Sequence, residues 1–254
     1  MMRAFLALAV WGIYLVVVGL PLCLLGVVCP SRRLLSVCAV SWSWLMLRIC
    51  GVRLAIEGGD YVADAAPRFF VGNHQSALDI PILMLALKGH VRFMAKDSLF
   101  RTPIFGWVLG RYGFVPIDRD HARKTLGALE TMLTRLSRDP ISFAVFPEGT
   151  RSPDGRLLPF RQGTMKICRR SGLPVVPFVI EGTWKVHRPR TFRLRPGRVR
   201  LRFMRPISAD HVAAMSPTEL HDRVRDAVVE GLGDLRSQPS AAPSPAVLAG
   251  RRLR

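Results

Sequence analysis

The chain predicts an α/β fold, a mixed and mostly parallel sheet flanked by helices, behind an N-terminal two-helix membrane anchor. Three observations carry this. From Val52 onward, short apolar runs alternate with helical patterns, the signature of strand–helix units in one sheet. Two long apolar stretches precede them. The residues with chemistry in them fall just after a strand or at the start of a helix, and in such sheets ligands settle at the strands' carboxyl ends.

The anchor comes first. Ala4 to Cys29 carries no charge, long enough to cross a hydrocarbon core as a helix. It exceeds an ordinary signal-peptide core, and Val27-Val28-Cys29-Pro30 offers no small-x-small cleavage site. Arg32 and Arg33 break the run, and Leu34 to Ile49 forms a second apolar stretch with Trp42, Trp44 and Arg48. Basic residues flank the first segment on both sides, so two helices lying in one leaflet fit as well as a true span. Residues 1–50 are assigned to this anchor.

The predicted strands are Val52–Glu57, Arg68–Gly72, Val91–Ala95, Gly113–Ile117, Ile141–Phe146, Val175–Glu181 and Arg198–Met204. The predicted helices are Ile80–Leu87, Ser98–Arg111, His121–Arg138, Thr164–Ser171 and Pro217–Arg236, with Met132 and Leu136 as core positions. Together they make one domain over residues 51–236. Residues 237–254, rich in Ser, Pro and Ala, read as a disordered tail.

Lys+Arg 37 against Asp+Glu 18 gives a net charge of +19, a field that attracts nucleic acid or an anionic membrane leaflet. The apolar N-terminus selects the membrane, and no aromatic-plus-basic platform or helix-turn-helix pattern supports nucleic acid. Nine Lys/Arg and no acid occupy Lys185 to Arg205. Arg198, Arg200 and Arg202 alternate there with Val199, Leu201 and Phe203, which predicts a half-buried strand with one basic face. That face reads as a solvated edge strand, a lipid-facing patch, or both. The five cysteines show no CxxC and no zinc spacing, so they are expected to be reduced and inert, and no metal site is expected.

His74 and Asp79 stand five residues apart. On a regular helix they would point about 140° apart. They meet if His74 lies in the turn leaving a strand and Asp79 opens the next helix, where Pro81 is tolerated. By themselves the two residues equally fit a loop histidine beside an N-cap. Pro147-Glu148-Gly149 turns sharply after a buried-type strand and brings Thr150 and Arg151 with it. Such a turn exposes backbone N–H groups, and an arginine fork suits phosphate. Gly113-Phe114-Val115-Pro116-Ile117-Asp118-Arg119 is a strand ending in another arginine, and Lys96 ends the strand before it. Ser76 lacks a G-x-S-x-G elbow and is expected to be structural. The other histidines, His187 and His221 among them, have no paired carboxylate at a telling spacing.

In order, H-x-x-x-x-D at His74, G-x-x-x-I-x-R at Gly113, F-P-E-G-T-R-S at Phe146 and Leu173-Pro174-Val175-Val176-Pro177-Phe178 resemble the glycerolipid acyltransferase family. The resemblance runs from about Val52 to Arg205, with Pro116 a departure. It implies that His74 is the general base and Asp79 its orienting partner. It also implies that Arg119, Glu148, Gly149, Thr150 and Arg151 line the acceptor phosphate site, to which Lys96 is added. Val176 and Pro177 would sit toward the acyl donor. The implied reaction moves a fatty acyl chain from acyl-CoA or acyl-carrier protein to a lysophospholipid, with no cofactor and no acyl-enzyme. The acceptor is expected to be 1-acyl-glycerol-3-phosphate, another lyso-lipid such as a lyso-ornithine lipid remaining open. The enzyme is expected on the cytoplasmic membrane, its catalytic domain facing the cytoplasm and an anionic membrane surface as partner.

Overall fold

A computed structural model describes residues 32–64, 66–103, 105–117, 141–191 and 193–237, with Ala9, Ile13, Met132 and Thr134. The elements run α1 (Arg32–Ile49), β1 (Val52–Glu57), a short 3-10 turn (Gly59–Val62), β2 (Phe69–Gly72), α2 (Asp79–Ala86) and β3 (Val91–Lys96). Then follow α3 (Asp97–Phe100), α4 (Phe105–Tyr112), β4 (Val115–Ile117), β5 (Ser142–Val145) and α5 (Gln162–Ser171). The chain closes with β6 (Val175–Glu181), α6 (Thr183–Val186), β7 (Gly197–Phe203), α7 (Ala209–Ala214) and α8 (Pro217–Ser237).

The seven strands form one sheet in the order β1-β7-β6-β2-β5-β3-β4. Every neighbouring pair is parallel except β6 and β7, so the sheet is mixed and mostly parallel, as predicted. Phe69–Gly72 and Ser142–Val145 are buried throughout, because both lie mid-sheet between helical layers. One core contains Leu47 of α1, Ile82 and Leu83 of α2, and Leu109 and Tyr112 of α4, packed on Phe70, Phe93 and Phe178. On the opposite face Met165 and Cys168 of α5, Val212 of α7, and Leu220, Val224 and Val228 of α8 pack on Phe69, Phe143 and Val179. Met132, expected in the core, is fully buried there.

Several expectations change. The second apolar stretch becomes α1, which turns Ser43 and Leu47, and with them Cys50 just after it, into the protein, so part of the expected anchor packs into the α/β fold. No described helix is long and apolar enough to cross a membrane. The first apolar segment, apart from Ala9 and Ile13, lies outside the described residues, as do Arg119, Leu136 and the expected tail past Ser237. The helix expected over Ser98–Arg111 is two, α3 and α4. Pro103 explains the break, since proline disfavours helical backbone in the residue before it.

The basic strand is also corrected. β7 lies between β1 and β6 and is no edge. Val199, Leu201 and Phe203 enter one core. On the opposite face, under α8, Glu57 accepts from Arg200 Nη2 at 2.7 Å and from Arg202 Nε at 2.7 Å. Arg202 also reaches Asp234, and Arg200 Nη1 donates to the Leu235 carbonyl at 3.0 Å. Arg200 is only 6% exposed. Of the three, Arg198 alone faces solvent.

Candidate active site

β2 carries the chain to the site. Gly72, its last residue, crosses so near β6 that a Cβ there would stand 2.3 Å from the Phe178 carbonyl oxygen. Only glycine permits that approach. Asn73 then locks the crossing, its amide donating to Ile180 O and its carbonyl accepting from Ile180 N, each at 2.8 Å.

The chain turns over His74 to Leu78 and enters α2 at Asp79. Asp79 is completely buried. Its Oδ2 accepts from the backbone N–H groups of Gln75 at 2.7 Å and Ser76 at 2.8 Å and meets His74 Nδ1 at 2.7 Å. An ionised carboxylate holding two amides in this way also receives the Nδ1 proton, which leaves the Nε2 lone pair of His74 to act as a base. The imidazole lies against the Phe146 ring, centroids 3.9 Å apart and planes 13° from parallel, so its tilt is fixed as well as its tautomer. A short turn can thus bring together what a helix would hold apart.

The later turn packs on the first. His74 N–H donates to Glu148 Oε1 at 2.6 Å, Leu158 N–H donates to Glu148 Oε2 at 3.0 Å, and Ser152 N–H donates to the His74 carbonyl at 2.8 Å. Burial pushes the Glu148 carboxyl up to about 7, against the lowering effect of these two amides and helped by Asp79. Gly149 has φ +70°, and the Arg161 side chain lies where its Cβ would be, with Nε 2.6 Å from that position. Thr150 is exposed and Arg151 half-buried. Among the described residues no carboxylate pairs with Arg151 or Arg161.

His187 closes the other side. Its Nδ1 faces Ser76 Oγ at 3.2 Å, its carbonyl accepts from that hydroxyl at 2.8 Å, and its Nε2 faces the Thr191 carbonyl at 3.0 Å. Burial pushes its pKa down and the nearby Arg151 charge acts the same way, against Thr191 O and Asp79. Arg151 stands in the chain between Gly149 and Ser152, whose N–H reaches the His74 carbonyl, so it belongs to the turn packed on His74.

The model of the Acyltransferase family matches residues 53–181, half of the chain and the whole of this site's first two turns. The chain belongs to the Acyltransferase family. Of similar proteins, the 1-acyl-sn-glycerol-3-phosphate acyltransferase of Limnanthes douglasii is 32% identical over 167 residues, 65% of this chain and 58% of that protein. The chain thus spans little more than half of that plant relative. The 1-acyl-sn-glycerol-3-phosphate acyltransferase of Saccharomyces cerevisiae is 29% identical over 237 residues, 92% of this chain and 77% of its own. The crystal structure of the 1-acyl-sn-glycerophosphate (LPA) acyltransferase PlsC from Thermotoga maritima superposes with a TM-score of 0.82. It is 24% identical, over 94% of this chain and 97% of that one, and so shares the fold.

In this member of the Acyltransferase family the structure brings together His74, Asp79, Glu148 and Gly149, with Arg151 in the same turn as Gly149. Lys96 ends β3 on the same sheet edge but is exposed, two strands from β2. Ser76 is fully buried and structural, donating to His187 O and accepting from Leu78 N at 3.3 Å. Sequence reasoning missed Arg161 and His187. Neither carries a signal in spacing, because each reaches the site only through a fold contact. It also missed the pairing of His221 Nδ1 with Asp222 at 2.8 Å, a contact between chain neighbours.

Proposed function

We propose that this acyltransferase transfers a fatty acyl chain from acyl-CoA or acyl-carrier protein to 1-acyl-glycerol-3-phosphate at a membrane surface, forming phosphatidic acid. The observation that carries it is the buried His74–Asp79 pair, 2.7 Å apart, packed against the Glu148–Ser152 turn that carries Arg151. Relatives bearing the 1-acyl-sn-glycerol-3-phosphate acyltransferase name support the acceptor.

His74 Nε2 takes the proton from the acceptor hydroxyl as its oxygen forms a bond to the thioester carbonyl carbon. The imidazolium that results is stabilised by Asp79. When the tetrahedral species collapses, the C–S bond breaks and the same proton leaves with the thiolate sulfur. The donor thioester is a substrate, and the sequence of steps needs no cofactor. Such proton transfer contributes about 10²–10⁴-fold. Arg151, with Arg161 across the Gly149 turn and Lys96 at the end of β3, is assigned to the acceptor phosphate, together with Arg119, which lies outside the described residues. Positioning of the hydroxyl by that clamp lowers the barrier further. Glu148 is assigned a different part from the one its motif implies. Its oxygens are taken by backbone amides, so it fastens the two turns together and holds the phosphate groups only indirectly. Attachment to the cytoplasmic membrane through the N-terminal stretches, with the site facing the cytoplasm, completes the reading.

The purified full chain, given lysophosphatidic acid and either donor, is expected to yield phosphatidic acid by mass spectrometry. His74→Ala should lower kcat by about 10²–10⁴-fold. A His74→Ala chain with unchanged kcat, or no acylated product from the wild type with either donor, would rule the proposal out. Arg151→Ala and Arg161→Ala should each raise the acceptor KM by about tenfold, the loss of a charged hydrogen bond, with donor KM constant.

A further inference from the structure

The helix that leaves the site carries a second cluster of cations. α5 buries Met165, Ile167 and Cys168. Its other residues Lys166, Arg169 and Arg170 stand at i, i+3 and i+4, and so share one side. There they line an open depression of about 480 Å³ together with Ala213 of α7 and Pro217 of α8. No acid is among the lining residues, and none of the three cations pairs with a carboxylate among the described residues. The carboxylate at the start of α8, Glu219, is already engaged by Ser216 N–H at 2.6 Å. Arg169 is held across the cavity by a bond from Nη2 to the Ala213 carbonyl at 3.2 Å, while its Nε is buried without a partner.

The negative end of the α5 dipole favours basic residues in its last turn, which accounts for Arg169 and Arg170. It does not account for Lys166 or for a concave, partly apolar floor beneath the three. Like charges at this spacing repel, a cost that an anion between them reverses. Arginine forks pair with phosphate oxygens two at a time, and the volume exceeds one phosphate. We propose that Lys166, Arg169 and Arg170 bind a soluble anion bearing two or more phosphates, apart from the site of acyl transfer. Arg169 lies roughly 12 Å along the helix axis from Arg161, beyond the reach of the acceptor clamp. The cavity also opens on the α5, α7 and α8 layer, whereas α1 lies across the sheet, which favours a dissolved ligand over a lipid surface.

Pyrophosphate is the probe, titrated calorimetrically into the full chain carrying Arg151→Ala and Arg161→Ala, so that binding at the acceptor site is weakened, with and without the substitutions on α5. Saturable binding is expected, weakened at least tenfold by adding Lys166→Ala and Arg170→Ala, both exposed positions whose replacement leaves the fold intact. Partial recovery with Arg170→Lys is expected. Absence of binding, or binding equal in the two chains, overturns the site. If the double substitution instead abolishes binding to phosphatidylglycerol vesicles and spares pyrophosphate, the ligand is a lipid surface and the proposal fails. None of these outcomes depends on acyl transfer, so the result stands apart from the proposed function.

Discussion

Asp79 shows how much one side chain can organise. Three N–H groups converge on a single carboxylate oxygen that is wholly shielded from water, where the loss of charge is felt most strongly. Asp79→Asn keeps the volume but offers the imidazole a neutral partner. It should lower kcat by about 10²–10⁴-fold while acceptor KM holds, and a variant with wild-type kcat would remove Asp79 from the mechanism. Glu148 makes a pH prediction. Its carboxyl rises from 4.5 to about 7 on folding, so the folded state holds the proton more tightly than the unfolded chain. The stability this contributes is full below about 4.5 and is lost as pH rises through about 7. Melting temperatures of wild type minus Glu148→Gln should therefore fall across that window, and a flat difference would refute the buried carboxyl. His74, Asp79 and Arg151 were legible in the sequence because motif spacing survives in one dimension. Arg161 and His187 were not, because a Gly149 turn and a Ser76 hydroxyl, both created by folding, bring them in.

Among the elements, strand positions were readable to within two residues at each end, since a run of buried apolar residues marks a strand wherever it pairs. Pairing order was not readable. β7 shows the cost of that gap: alternation correctly gave its two faces, yet its arginines were assigned to water or lipid. Their true partner, Glu57, is 143 residues before Arg200, and no local pattern links them. Glu57→Ala removes the carboxylate that Arg200 and Arg202 share, and should destabilise the fold on the order of 3 kcal/mol. Chemical denaturation measures this. A midpoint within error of wild type would mean that Leu235 O and neighbouring groups suffice.

At the scale of the molecule, the two helical layers differ in what they expose. α1 leaves Leu34 at 40%, Val37 at 45% and Trp44 at 40% exposure, at helical spacings along one seam that ends in Arg48 over the Trp44 ring. An aromatic and a cation at one end of an apolar seam suit the membrane interface. A chain whose single tryptophan is Trp44 should show quenching by vesicles of brominated lipid; unquenched emission would detach α1 from the bilayer. The far layer exposes the cationic cavity of α5 instead. Sequence alone determined the α/β class, the strands and the spacing that lets His74 meet Asp79, because burial periodicity and short-range turn geometry are local properties. Only the tertiary structure decided that β7 is interior, that Glu148 fastens two turns and that Arg161 stands over Gly149. Those facts depend on which distant segments share a surface, and the free energy of that choice is summed over the whole core rather than written at any one position.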